Sequence, residues 1–138
     1  MSDDPELIEI RQKRVQELSR MQSDATVDQT GPMRLDDDAF EVELRKPGVL
    51  FVDLWAAWCG PCIQMGPVID ALARDYRGRV RVAKLNVDES PYTPARYGVT
   101  SIPTFLIFRD GKLVDELVGS MPRQMLESRL RQWIQAAA

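Results

Sequence analysis

Residues 49–62 read VLFVDLWAAWCGPC, an apolar run that ends in the only two cysteines of the chain, Cys59 and Cys62. Leu50, Val52 and Leu54 alternate with Val49, Phe51 and Trp55, so both faces of this stretch are apolar except at Asp53. A strand that is apolar on both faces is buried on both, which calls for a sheet covered by helices on each side. Gly60 and Pro61 then suit the opening of a helix, because proline is tolerated in a first turn where its missing N–H costs nothing.

The segments around this run fit the same architecture. Upstream, a short strand at Met33–Leu35 precedes DDDAFEVELRK (36–46), a helix with acids in its first turn and bases in its last. The three acids are read as helix capping rather than as metal ligands. Downstream come a helix over about 60–76 and a strand within RVRVAKLNV (79–87). SPYTPARYG (90–98) allows only a short helix or turns, given Pro91 and Pro94. TFLIF and KLVDELV are strands joined by the hairpin signal RDG. PRQMLESRLRQWIQ closes as a helix with Leu126, Leu130, Trp133 and Ile134 on one face. The order βαβαβαββα places the chain in the α/β class, with a central mixed sheet flanked by helices on both faces.

Residues 1–30 differ from the rest. They hold no Trp, Phe, Tyr or Cys and carry seven acids against four bases, leaving 14 of each sign in residues 31–138. Leu7, Ile8, Val15, Leu18 and Met21 share one arc at 100° per residue, so an amphipathic helix is expected over about 5–21. Asp4 would cap it, Pro5 suits its first turn, and a linker would reach residue 30. This extension either packs on its own domain or serves as a docking element, and in the second case the chain would be a binding or scaffold module. Residues 31–138 form the other unit.

Composition excludes several functions. The 138 residues are 44% hydrophobic and 28% charged, with a net charge of −3. There is no basic excess for nucleic acid or an anionic membrane surface. No apolar run approaches the roughly 18 residues of a membrane span. MSDDPELIEIRQKR lacks the apolar stretch of a signal peptide, so a cytoplasmic location is expected, where structural disulfides are uncommon. The chain has no histidine, which removes His-activated nucleophiles and His-ligated metals.

Two cysteines three apart can be a staple, half a metal site or a redox pair. A disulfide closing so short a loop stabilises by roughly 2 kcal/mol, little for a domain with its own core. A closed zinc site takes four ligands, so a metal ion would have to be shared between two chains. The redox reading has a direct rationale. At the helix start, free N–H groups and the helix dipole favour a Cys59 thiolate. Cys62, almost one turn inside, is more shielded and should ionise less readily. Asp53 is a carboxylate in a core, and burial raises its pKa. It can be the proton acceptor for Cys62, or a structural group satisfied by backbone N–H donors. Lys84 follows Val80 and Val82 on one strand face, and either pairs with Asp53 or snorkels to solvent.

WCGPC preceded by VDLWAA, IPT at 102–104, Pro67 within the helix, and the segment KLNVDESPYTPARYGVTSIPTFLIFRDGKLVDELVGS together resemble the thioredoxin family over residues 31–138. That resemblance implies a thioredoxin fold and protein-disulfide reduction. Cys59 would attack, Cys62 resolve, Asp53 relay the proton and Lys84 tune it. Ile102–Pro103 would be a cis peptide facing the sulfurs. Trp58, Gly60, Pro61, Ile102, Val118 and Gly119 would form the docking surface. No bound cofactor is implied: the Cys59–Cys62 disulfide is the redox centre, recharged by a separate thioredoxin reductase, and a monomer would act on diverse disulfide-containing proteins. The Gly-Pro spacer, with no histidine to stabilise the thiolate, favours a reductant. Ile63 departs from the family, which usually has Lys or Arg there.

Overall fold

The computed structural model describes residues 5–24 and 31–136, excepting the side chains of residues 5, 19–24 and 135–136. Asp4, the linker after residue 24 and the side chain of Met21 lie outside the described residues. In chain order the elements are α1 (Pro5–Asp24), β1 (Met33–Leu35), α2 (Asp37–Leu44), β2 (Val49–Trp55), α3 (Gly60–Asp75), β3 (Val80–Asn86), α4 (Tyr92–Arg96), β4 (Thr104–Arg109), β5 (Lys112–Val118) and α5 (Arg123–Ala136). The five strands form one mixed sheet in the order β1-β3-β2-β4-β5. β1, β3 and β2 run parallel, while β4 and β5 are antiparallel to their neighbours.

The sheet divides the core into two layers. On one side Val49, Phe51, Val82, Phe105 and Ile107 pack against Met65, Ile69 and Leu72 of α3 and Leu126 and Leu130 of α5. On the other, Leu50, Val52, Leu54, Leu106 and Phe108 pack against Phe40 of α2, with Tyr97 just beyond α4 closing over them. Alternation places Asp53 with Val49 and Phe51, on the face covered by α3. β4 and β5 turn through Asp110 (φ 51°) and Gly111 (φ 83°). Two consecutive positive φ angles suit the right-handed twist of a hairpin, and Gly111 also lies so close to the Leu44 carbonyl that a Cβ would sit 3.0 Å from it.

The acids of 36–38 are all engaged. Asp36 caps α2, accepting from Ala39 N–H at 2.8 Å. Asp37 ties α2 to α4, accepting from the backbone N–H groups of Tyr92 and Thr93 and from Thr93 Oγ1 at 2.7 Å. Asp38 binds Arg11 and Arg14 of α1 at 3.1 and 2.8 Å, and Arg14 also reaches Asp36. The bases expected in the last turn of α2 fall at and past its end, with Arg45 as the C-cap.

α1 lies against α2. Val15 is buried, Leu18 packs on the second core layer and Arg11 stacks over the Tyr92 ring. Leu7 and Ile8, expected in the same apolar stripe, stay 53% and 47% exposed.

Glu43 on α2 is a buried carboxylate that the sequence does not reveal. Arg81 of β3 and Lys46 hold it at 2.6 and 2.7 Å. Arg81 also donates to the carbonyls of Glu43, Lys46 and Pro47, at and just past the end of α2. Arg81→Ala should therefore lower stability by about 1–3 kcal/mol, read from urea denaturation. A change under about 0.5 kcal/mol would show the cluster to be solvent-screened.

Candidate active site

The site is built where β2 hands over to α3. Cys59 is the N-cap of α3 in extended backbone (φ −87°, ψ 105°), and its Sγ accepts the Cys62 N–H at 3.2 Å. Gly60 and Pro61 occupy the first helical turn. Cys59 and Cys62 are joined by a disulfide. Their exposures differ less than the sequence suggests, 4% against 2%, because both pack with Ala56, Trp55, Val87 and Ile102. What separates them is position: the Cys59 sulfur receives a helix N–H, and Cys62 lies inside the first turn.

Asp53 is 1% exposed, and neither carboxylate oxygen has a protein hydrogen-bond partner among the described residues. The reading of a structural aspartate satisfied by backbone N–H groups therefore does not hold. Burial pushes its carboxyl from the usual 3.8 up to about 7, against an opposing pull from Lys84. Asp53 and Lys84 are opposite each other in the β2–β3 register, yet no ion pair joins them. Lys84 Nζ lies 4.5 Å from the centre of the Trp55 ring, so it neither pairs with the carboxylate nor runs free to solvent.

The rim comes from three further segments. Ile102–Pro103 is a cis peptide, and the Ile102 carbonyl oxygen lies 3.9 Å from Cys59 Sγ. Gly119 N–H donates to the Pro103 carbonyl at 2.8 Å, and Ser120 Oγ to the Pro61 carbonyl at 3.5 Å. Gly119 has φ 95°, a backbone open to glycine at little cost. Trp58 and Val118 are 71% and 57% exposed, and Gly60 and Pro61 are exposed too. Ile102 and Gly119 are half-buried, whereas Pro103 is buried.

Comparison with known proteins matches this arrangement. The thioredoxin family model fits residues 31–132. The chain belongs to the thioredoxin family. It is 52% identical over 99 residues to thioredoxin 2 of Chlorobaculum tepidum, covering 71% of this chain and 91% of that relative. It is 45% identical over 95 residues to thioredoxin of Pseudomonas aeruginosa, covering 68% of this chain and 88% of the relative. Among solved structures, a mutant thioredoxin from Halobacterium salinarum NRC-1 superposes with a TM-score of 0.71 at 30% identity, over 80% of this chain and 96% of that one. With its cysteine pair joined at the head of α3, this thioredoxin-family chain is a thiol-disulfide oxidoreductase that reduces protein disulfides.

Sequence reasoning missed two members of the site. Asp88, just past β3, accepts the Trp58 indole N–H at 2.8 Å and so fixes the most exposed aromatic ring of the rim. Val87 packs on the cysteine cluster. Nothing in NVDES singles them out, since both roles arise only when β3 and β2 end side by side. Among the described residues no three His, Cys, Asp or Glu side chains gather as metal ligands. No described helix is long and apolar enough to cross a membrane.

Proposed function

We propose that Cys59 is the attacking thiol and Cys62 the resolving thiol of this reductase. The Cys59 thiolate attacks one sulfur of a substrate disulfide, forming a mixed disulfide and expelling the other sulfur as a thiolate that takes up a proton. Cys62 gives its proton to Asp53 and attacks Cys59, expelling the second substrate sulfur as a thiolate that takes up a proton and leaving the Cys59–Cys62 disulfide. Two electrons pass to the substrate. A separate thioredoxin reductase returns two electrons and two protons, with no cofactor bound to this chain.

The observation that carries the assignment is the 3.2 Å contact from Cys62 N–H to Cys59 Sγ at the tip of α3, where developing negative charge on that sulfur is stabilised. The rim of Trp58, Gly60, Pro61, Ile102, Pro103, Val118 and Gly119 receives the substrate, with the backbone beside Ile102 open to pair with an extended segment. Lys84 tunes Asp53 through space. Residues 31–138 are the catalytic domain, residues 1–30 its extension, and the protein acts as a cytoplasmic monomer on diverse disulfide-containing proteins.

Trapping tests the division of labour. Cys62→Ser should accumulate substrates covalently on Cys59, visible as bands on non-reducing gels that dithiothreitol removes. Accumulation on Cys59→Ser instead would reverse the two roles.

A further inference from the structure

The N-terminal half of α1 carries two exposed aliphatic side chains, Leu7 and Ile10. They are 53% and 59% exposed and, with Arg11 and Arg14, line a groove of about 370 Å³. Asp36, Asp37, Asp38, Glu89 and Ser90 line the rest of it. Glu89 directly follows Asp88, the residue that holds the Trp58 indole, so one peptide unit separates the groove from the rim.

Charge in this groove is uneven. Arg11 and Arg14 are taken up by Asp36 and Asp38, and Asp37 is held by three hydrogen bonds from the start of α4. Asp88 accepts only a neutral indole N–H, and neither it nor Glu89 has a cationic partner among the described residues. The groove therefore offers aliphatic surface from α1 and the unpaired negative charge of Glu89, next in sequence to the Asp88 that holds Trp58.

We propose that this groove is a second docking strip for the protein substrates of the redox site, taking a segment that flanks the attacked cysteine and carries an aliphatic residue together with a lysine or arginine. The aliphatic side chain covers Leu7 and Ile10, and the cation meets Glu89 and Asp88. The inference rests on the reductase reading above, and it gives α1 a part in substrate choice rather than in chemistry.

The test uses the full chain and three disulfides. Two are peptides joined through one cysteine to the same small thiol, with leucine and lysine flanking the cysteine in one and serine and glutamate at those positions in the other. The third is hydroxyethyl disulfide. The leucine-lysine peptide should be reduced with a kcat/KM about tenfold above the serine-glutamate peptide at low salt. That ratio should shrink at about 0.5 M salt. Leu7→Ser combined with Ile10→Ser should lower the ratio, and Glu89→Lys should lower it without touching α1. Equal kcat/KM for the two peptides, or a ratio that all variants retain, overturns the docking strip while the reductase reading stands. Failure to reduce any of the three, hydroxyethyl disulfide included, overturns the reductase reading itself.

Discussion

Replacing Cys59 by serine is expected to lower the rate of insulin reduction by a factor on the order of 10⁴ or more, because the nucleophile of a covalent mechanism has no substitute. A serine hydroxyl at the tip of α3 is not ionised near neutral pH, and the N–H of Cys62 that stabilises a thiolate cannot make it so. The remaining thiol does not rescue the reaction. Cys62 lies inside the first turn of α3, and its sulfur lacks the helix N–H that the Cys59 sulfur accepts. The same variant should trap no substrate. A coupled turbidity assay decides the matter, and residual activity within tenfold of the parent would falsify the assignment.

Asp53→Asn should change both stability and chemistry. The native carboxyl holds its proton up to about 7, and an ordinary carboxyl releases it near 3.8. Between those values the folded state binds more protons than the unfolded state, so stability falls as pH rises through this window. The advantage of the protonated form is fully present below 3.8 and gone above about 7. The difference corresponds to about 4 kcal/mol as an upper bound, at 1.36 kcal/mol per pH unit. Asparagine cannot ionise, so at pH 8 the variant should be more stable than the parent by up to that amount, and near pH 3 the two should converge. Urea denaturation at the two pH values reads this directly.

The chemical effect runs the other way. Without a proton acceptor beneath α3, the attack of Cys62 on a preformed mixed disulfide should slow by about 10²-fold near pH 7. The initial attack by Cys59 should change little. Parent and variant resolving at equal rates across pH 6–9, followed by stopped flow, would leave Asp53 with a structural cost and no catalytic return.

Much of this was legible in residues 49–62. Double-sided apolar alternation implies a covered central strand, and Gly-Pro after Cys59 marks the helix start, because both signals act over a few positions. Asp53 stood out because a lone acid in such a strand has no local explanation. The resemblance supplied the cis peptide at Pro103, which local chemistry could not. Other features depend on segments that meet only in the fold. Glu43 reads as a surface residue of a short helix until Arg81, 38 positions away, covers it. The Trp58–Asp88 bond spans 30 positions. Leu7 and Ile8 fit an amphipathic stripe, but helical periodicity cannot say how much of that stripe the neighbouring elements cover.

The contact between Cys59 and the Ile102 carbonyl joins positions 43 apart, and that between Ser120 and Pro61 joins positions 59 apart. No contiguous fragment of the central strand and its helix contains a complete site. A partly folded chain therefore owns a dithiol but lacks the surface that selects what it reacts with. Closure over such separations carries a loop-entropy cost that contacts within β2 and α3 do not. Specific reduction is then a report on topology, silent until β4 and β5 have docked beside β2.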